Sequence, residues 1–125
     1  MALRQAMSVA IGALVGLMLY VGPAAAHHGW RWTEEGNFEV VGTITSVQLG
    51  NPHGVLLLDV NGEQWQVELG SPGRNARAGL EDALLVEGME ILISGHRSAD
   101  TGERRVKAER VYLGGVEYNL YPDRD

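Results

Sequence analysis

Four histidines are the side chains in this sequence best suited to holding an ion. His27 and His28 stand side by side, His53 lies in Asn51-Pro52-His53-Gly54, and His96 lies in Gly95-His96-Arg97-Ser98. There is no cysteine, no His-x-x-x-His and no carboxylate at comparable ligand spacing, so thiolate and zinc-type sites are disfavoured. If processing exposes His27 as the first residue, its α-amine and imidazole chelate one ion together. A third nitrogen from His53 or His96 then completes a T-shaped site, and imidazole and amine nitrogens suit Cu(II) best. Cleavage after Ala24 instead puts His27 third, which also gives a copper-seeking square-planar chelate. The alternative is that His27 and His28 bind metal only adventitiously, while His53 and His96 hydrogen-bond to nearby backbone. Asn51, Pro52, Gly54, Arg97 and Asp100 complete the two loops as ligand-binding candidates. Asp100 either orients His96 or starts the Asp-Thr-Gly turn.

A second group is aromatic. Trp30, Trp32, Tyr118 and Tyr121 either clasp the two ends of the chain together or form a platform for a flat ligand at the mouth of the fold. Trp65 falls on the inward side of its strand and belongs to the core. No catalytic constellation stands out: Ser46, Ser71, Ser94 and Ser98 sit in no nucleophile-elbow pattern. Glu34-Glu35 and Glu81-Asp82 are adjacent in sequence rather than placed across a cleft. Arg74, Arg77, Arg97, Arg104 and Arg105 could hold an anion, but they are spread over a helix and a turn, and such charges usually form a solvated face.

The first 26 residues carry one charge, Arg4, then a run without ionisable groups other than Tyr20, then Gly22-Pro23-Ala24-Ala25-Ala26. That is the layout of a secretory signal with a small-residue cleavage site after Ala26. An uncleaved anchor is the other reading, and it would be the chain's only contact with a membrane. The expected compartment is therefore the periplasm or the exterior. Removing Arg4 leaves nine basic side chains against sixteen acidic ones, a net charge of about −7, which argues against a nucleic-acid partner. With no disulfide available, the exported domain depends on its hydrophobic core. An extended tail from His28 to Phe38 spans up to about 33 Å, enough to bring the first histidines to the rest of the protein.

The elements that must position these groups read as mainly β. After a tail at 27–37, a long strand over residues 38–49 puts Phe38, Val40 and Ile44 on one face and then Val47 and Leu49 on the other. This change of parity calls for a bulge near Gly42 or Ser46. Residues 55–60 and 63–69 form a hairpin on Asn61-Gly62, a type I′ signal that sets Val60 opposite Glu63, Leu58 opposite Trp65 and Leu56 opposite Val67. Ser71-Pro72 opens a helix predicted over 72–85, in which Arg74 and Arg77 near the start oppose the macrodipole. Strands at 89–93 and 104–113 follow, separated by a turn at 95–102, and 116–121 forms a terminal strand before a short tail at 122–125. Three strands, a helix and two further strands is the order of the OB-fold, a small five-stranded barrel, here five- to six-stranded over 38–121. In that fold the loops bearing His53 and His96 share the binding edge. The competing architecture is an open β-sandwich without the helix.

The chain resembles a family of small secreted bacterial proteins of unknown function. The resemblance rests on His27-His28-Gly29-Trp30, Asn51-Pro52-His53-Gly54, Gly95-His96-Arg97-Ser98 and Tyr118-Asn119-Leu120-Tyr121-Pro122-Asp123-Arg124. The strand order and Val40-x-Gly42-x-Ile44 are also similar to bacterial periplasmic OB-fold proteins. What this resemblance implies is compartment and fold rather than chemistry. The leading expectation is a periplasmic, non-enzymatic binding module with a copper-like ion as the favoured small ligand. The alternative is an envelope interaction or scaffold protein with structural histidines, and the third reading is an oxidase built on an N-terminal histidine copper centre.

Overall fold

The structure, a computed structural model, describes residues 29–124. The chain divides into two compact units, Met1–Trp32 and Thr33–Asp125. Of the first, only residues 29–32 are described, so the expected signal segment, His27 and His28 lie outside the described residues.

The second unit is a barrel. Its strands are β1 (Phe38–Gln48), β2 (Val55–Val60), β3 (Glu63–Glu68), β4 (Glu90–Arg97), β5 (Arg105–Leu113) and β6 (Val116–Asn119). They hydrogen-bond in the order β3-β2-β1-β4-β5-β6, and a parallel pairing of β3 with β5 closes five of them into a ring, leaving β6 as an extra strand. Ile44, Leu56, Leu58, Val67, Leu69, Ile91, Ile93, Val106 and Val111 fill it and are at most 1% exposed. Each such side chain contributes roughly 1.5–3 kcal/mol by leaving water.

The parity change in β1 is resolved where the pattern required it. Ile44 pairs with Leu58 and Ser46 with Leu57, so Thr45 is the extra residue of a bulge. Beyond it Val47 turns to the core side, where it packs as a partly buried residue. The hairpin register is as expected, with Val60 on Glu63, Leu58 on Trp65 and Leu56 on Val67. Asn61 and Gly62 have φ of 52° and 85°, the left-handed pair that a type I′ turn needs.

The helix is shorter than the periodicity suggests. α1 covers Pro72–Arg77 and is capped by Ser71 Oγ, which accepts from the Arg74 N–H. Gly79, at φ 87°, turns the chain out of the helix. A separate 3-10 turn follows at Asp82–Leu84. This early stop reverses the electrostatic expectation, because Arg74 and Arg77 lie in the last turn of α1 and complement its dipole. Asn75, 5% exposed, ties the helix back to β3: its Oδ1 accepts from Gly70 N–H and its Nδ2 donates to Gly70 O, both at 3.0 Å.

Two further boundaries move. The turn expected at 95–102 begins later, because β4 runs through Gly95 and His96 to Arg97. Gly95 serves close packing there: a Cβ would overlap the Lys107 carbonyl oxygen and meet the Glu109 nitrogen at 3.0 Å. This close approach accompanies a second bulge, at Glu109, since Ser94 pairs with Arg110 and Gly95 with Ala108. The end of the expected N-terminal tail is also tied down. Thr33 bridges Ser98, and Glu34 N–H donates to Arg97 O at 2.9 Å. After β6 the chain ends in a 3-10 turn over Pro122–Arg124 rather than a longer strand.

Candidate functional site

β5 reads Arg105-Val106-Lys107-Ala108-Glu109. Val106 and Ala108 point into the barrel and are fully buried, so Arg105 and Lys107 emerge on its outer face, joined by Glu109 at the bulge. Glu68 does the same on β3, between Val67 and Leu69. The pairing sets Glu68, Lys107 and His96 in one row across β3, β5 and β4. Outward placement does not mean solvation here, for Glu68 is 0% exposed, Lys107 4% and Glu109 7%.

Glu68 is the hub of one cluster. Its Oε1 accepts from Lys107 Nζ at 2.9 Å and its Oε2 from Arg105 Nη2 at 2.9 Å, while His53 Nε2 lies 3.3 Å from Oε1. Glu109 is the hub of the other, with His96 Nε2 at 2.7 Å and Arg124 Nε at 3.0 Å from its Oε1. Two buried carboxylates thus face three cations, which provides the counter-charge that burial demands. The C-terminal segment lies over the strip: Leu120 N–H donates to Glu109 O at 2.8 Å, and the Tyr121 ring stands 5.7 Å from Lys107 Nζ and 4.2 Å from the Arg74 guanidinium.

The two candidate histidines therefore have defined surroundings, His53 in the loop before β2 and His96 within β4 rather than in the expected turn. His96 Nδ1 is 2.9 Å from Glu34 O and its Nε2 meets Glu109; His53 Nδ1 is 3.3 Å from Gly54 O and its Nε2 meets Glu68. Both nitrogens of each ring face oxygen, whereas a metal ion needs a nitrogen lone pair of its own. Among the described residues no three His, Cys, Asp or Glu side chains converge. His53 and His96 meet different carboxylates, and in the register Lys107 stands between Glu68 and His96.

The remaining candidates have structural partners of their own. Asp100 Oδ1 accepts from Gly102 N–H at 3.0 Å, the turn-forming role, and does not reach for His96. Arg97 lies over Phe38 and Trp65, 5.2 and 5.4 Å from their centroids, and those rings stack at 5.2 Å. Gly54 is buried and pairs with Gly70 and Leu69, whereas Asn51 and Pro52 are exposed and joined by a cis peptide. Trp30 and Trp32 belong to the first unit, Tyr118 and Tyr121 to the second. Tyr118 and Tyr121 pack against the barrel core as partly buried residues. The face that OB-folds commonly use, the outside of β2 and β3, carries Val55, Leu57, Asp59, Gln64 and Gln66, with no outward aromatic ring.

Glu68, Lys107 and Glu109 were not among the residues singled out from sequence. The available signal was the alternation of charge with Val106 and Ala108. It gives facing but not burial, which depends on where Leu120, Tyr121 and Arg124 lie.

Strand order, closure and the helix between β3 and β4 define an OB-like β-barrel. Residues 15–106 match the DUF6152 family, a family of unknown function, and the chain belongs to it. That match takes in His53, Glu68, His96 and Arg105 and stops short of Lys107, Glu109 and the Tyr118-to-Arg124 motif. No curated protein matches the chain. Among solved structures it is similar to the S. pombe Stn1-Ten1 complex, with 15% identity, a TM-score of 0.50 and coverage of 62% of this chain and 57% of that one. It is also similar to a ZRD-deleted mutant of TiaS in complex with agmatine, with 13% identity, a TM-score of 0.50 and coverage of 67% and 26%. The chain thus spans little more than half of the first of these and a quarter of the second, and at such identity the likeness is one of fold.

Proposed function

We propose that this protein is an exported, non-enzymatic OB-fold interaction module of the periplasm, in which His53 and His96 are structural, His53 holding its loop and His96 tying the Glu34 backbone to β4, and the partner is a protein. One observation carries this reading: both nitrogens of both rings already face oxygens, and the Nε2 of each meets a glutamate that is itself held by cations. A copper ion at either ring would displace an oxygen contact and leave a buried carboxylate with one partner fewer. The outer face of β2 and β3 is mostly uncharged, and a formal charge of −6 opposes the phosphate backbone of a nucleic acid. Export rests on the signal-like layout of residues 1–26.

The test is native mass spectrometry of the exported protein, purified without a His-tag, before and after one equivalent of Cu(II). A chain beginning at His27 is expected, with copper uptake unchanged in His53→Gln and His96→Gln. One tightly held copper that disappears in either variant would overturn the structural role and restore the metal module.

A further inference from the structure

The strap that covers the charged strip also walls a cavity of about 270 Å³ with α1. Arg74 and Arg77 form one side, three residues apart and so on the same face of the helix. Ala78, Leu120 and Pro122 supply apolar wall, and Asn119 and Asp123 also line it. None of these residues belongs to the outer face of β2 and β3, so the cavity is separate from the surface considered above.

The two arginines differ in a way that matters for binding. Arg74 is already fixed: its guanidinium stacks on Tyr121 at 4.2 Å and donates through Nη1 to Leu120 O at 3.1 Å. A guanidinium has five N–H donors, so most of its fork is left to a ligand without further ordering. Arg77 is exposed and has no ion-pair partner among the described residues. Two cations against the one carboxylate of Asp123 leave the cavity with an excess of positive charge, in a protein whose overall charge is negative. An apolar wall beside two guanidinium groups suits a molecule with a carboxylate at one end and a hydrocarbon body at the other.

We propose that this cavity binds a small organic carboxylate, its oxygens between Arg74 and Arg77 and its apolar part against Ala78, Leu120 and Pro122. Asp123 limits the affinity by repulsion. Benzoate is the probe, titrated into the isotopically labelled protein at constant ionic strength and followed through amide chemical shifts, with sodium chloride as the control. The expected result is a saturable shift confined to residues 74–79 and 119–124. It weakens about tenfold in Arg77→Gln, as the loss of a charge-assisted contact implies, and strengthens in Asp123→Asn. Both substitutions are on exposed side chains, so the barrel persists in each. Shifts that chloride reproduces, that fail to saturate, or that ignore Arg77→Gln would overturn the proposal.

Discussion

Replacing Glu68 by glutamine tests whether the strip on the outer face is a buried electrostatic unit or ordinary surface. The substitution keeps size and shape and removes one charge. Arg105, with a side chain 21% exposed, can still turn toward water, but Lys107, 5% exposed, cannot. Breaking a buried ion pair by removing one partner costs about 3–5 kcal/mol, because the other charge stays behind without compensation. Against a total stability of roughly 5–15 kcal/mol that is a severe loss. With a urea dependence of about 1–3 kcal/mol/M, the unfolding midpoint followed by tryptophan fluorescence falls by at least about 1 M. The double variant Glu68→Gln, Lys107→Met then removes the stranded cation and should regain about 2 kcal/mol over the single one. A loss below about 1 kcal/mol in Glu68→Gln, or a double variant no more stable than the single, would refute the reasoning and make the strip a solvated face.

Two further outcomes follow from local geometry. Gly95→Ala should cost about 3 kcal/mol or more, since the added methyl meets backbone of β5 that cannot give way. Gly73→Ala, in α1 with nothing within 4 Å of the new atom, should instead stabilise by up to about 1 kcal/mol; equal effects in urea melts would show that the close approach at Gly95 is unimportant. Partial burial and the hydrogen bond it donates to Glu117 Oε1 at 3.1 Å push the Tyr112 phenol above its usual range. A raised value in the folded state means that the protonated phenol favours folding, so its contribution is complete below about pH 10 and is lost as the pH climbs through the folded value. Ultraviolet titration should show one tyrosine ionising late, and Glu117→Gln should bring it partway back; no change on that substitution would remove Glu117 as a cause.

What was legible in the sequence and what was not divide along the range of the interactions. The bulge in β1 follows from the parity of Phe38, Val40, Ile44 and Val47, and the hairpin from Asn61-Gly62; each is settled within a dozen residues by period and turn chemistry. α1 ended early because Gly79 adopts a left-handed backbone, while the apolar spacing of Leu80 and Leu84 continued past it. Periodicity alone therefore gave a helix through 85. The charged strip failed for a different reason. The hairpin register that sets Leu56 opposite Val67 also puts Glu68 on the outward side, but parity alone does not say whether an outward side chain is solvated. Burial of Glu68 and Glu109 requires His53 from one loop, Glu34 backbone behind His96, and Leu120, Tyr121 and Arg124 from the far end of the chain. Histidine can bind metal or meet a carboxylate equally well, so residue type alone left both readings of His53 and His96 open. The acids that separate them, Glu68 and Glu109, are 15 and 13 residues away: the β2-β3 hairpin sets Glu68 opposite Val55, two residues from His53, and the antiparallel pairing of β4 with β5, with its bulge beside Gly95, brings Glu109 to His96.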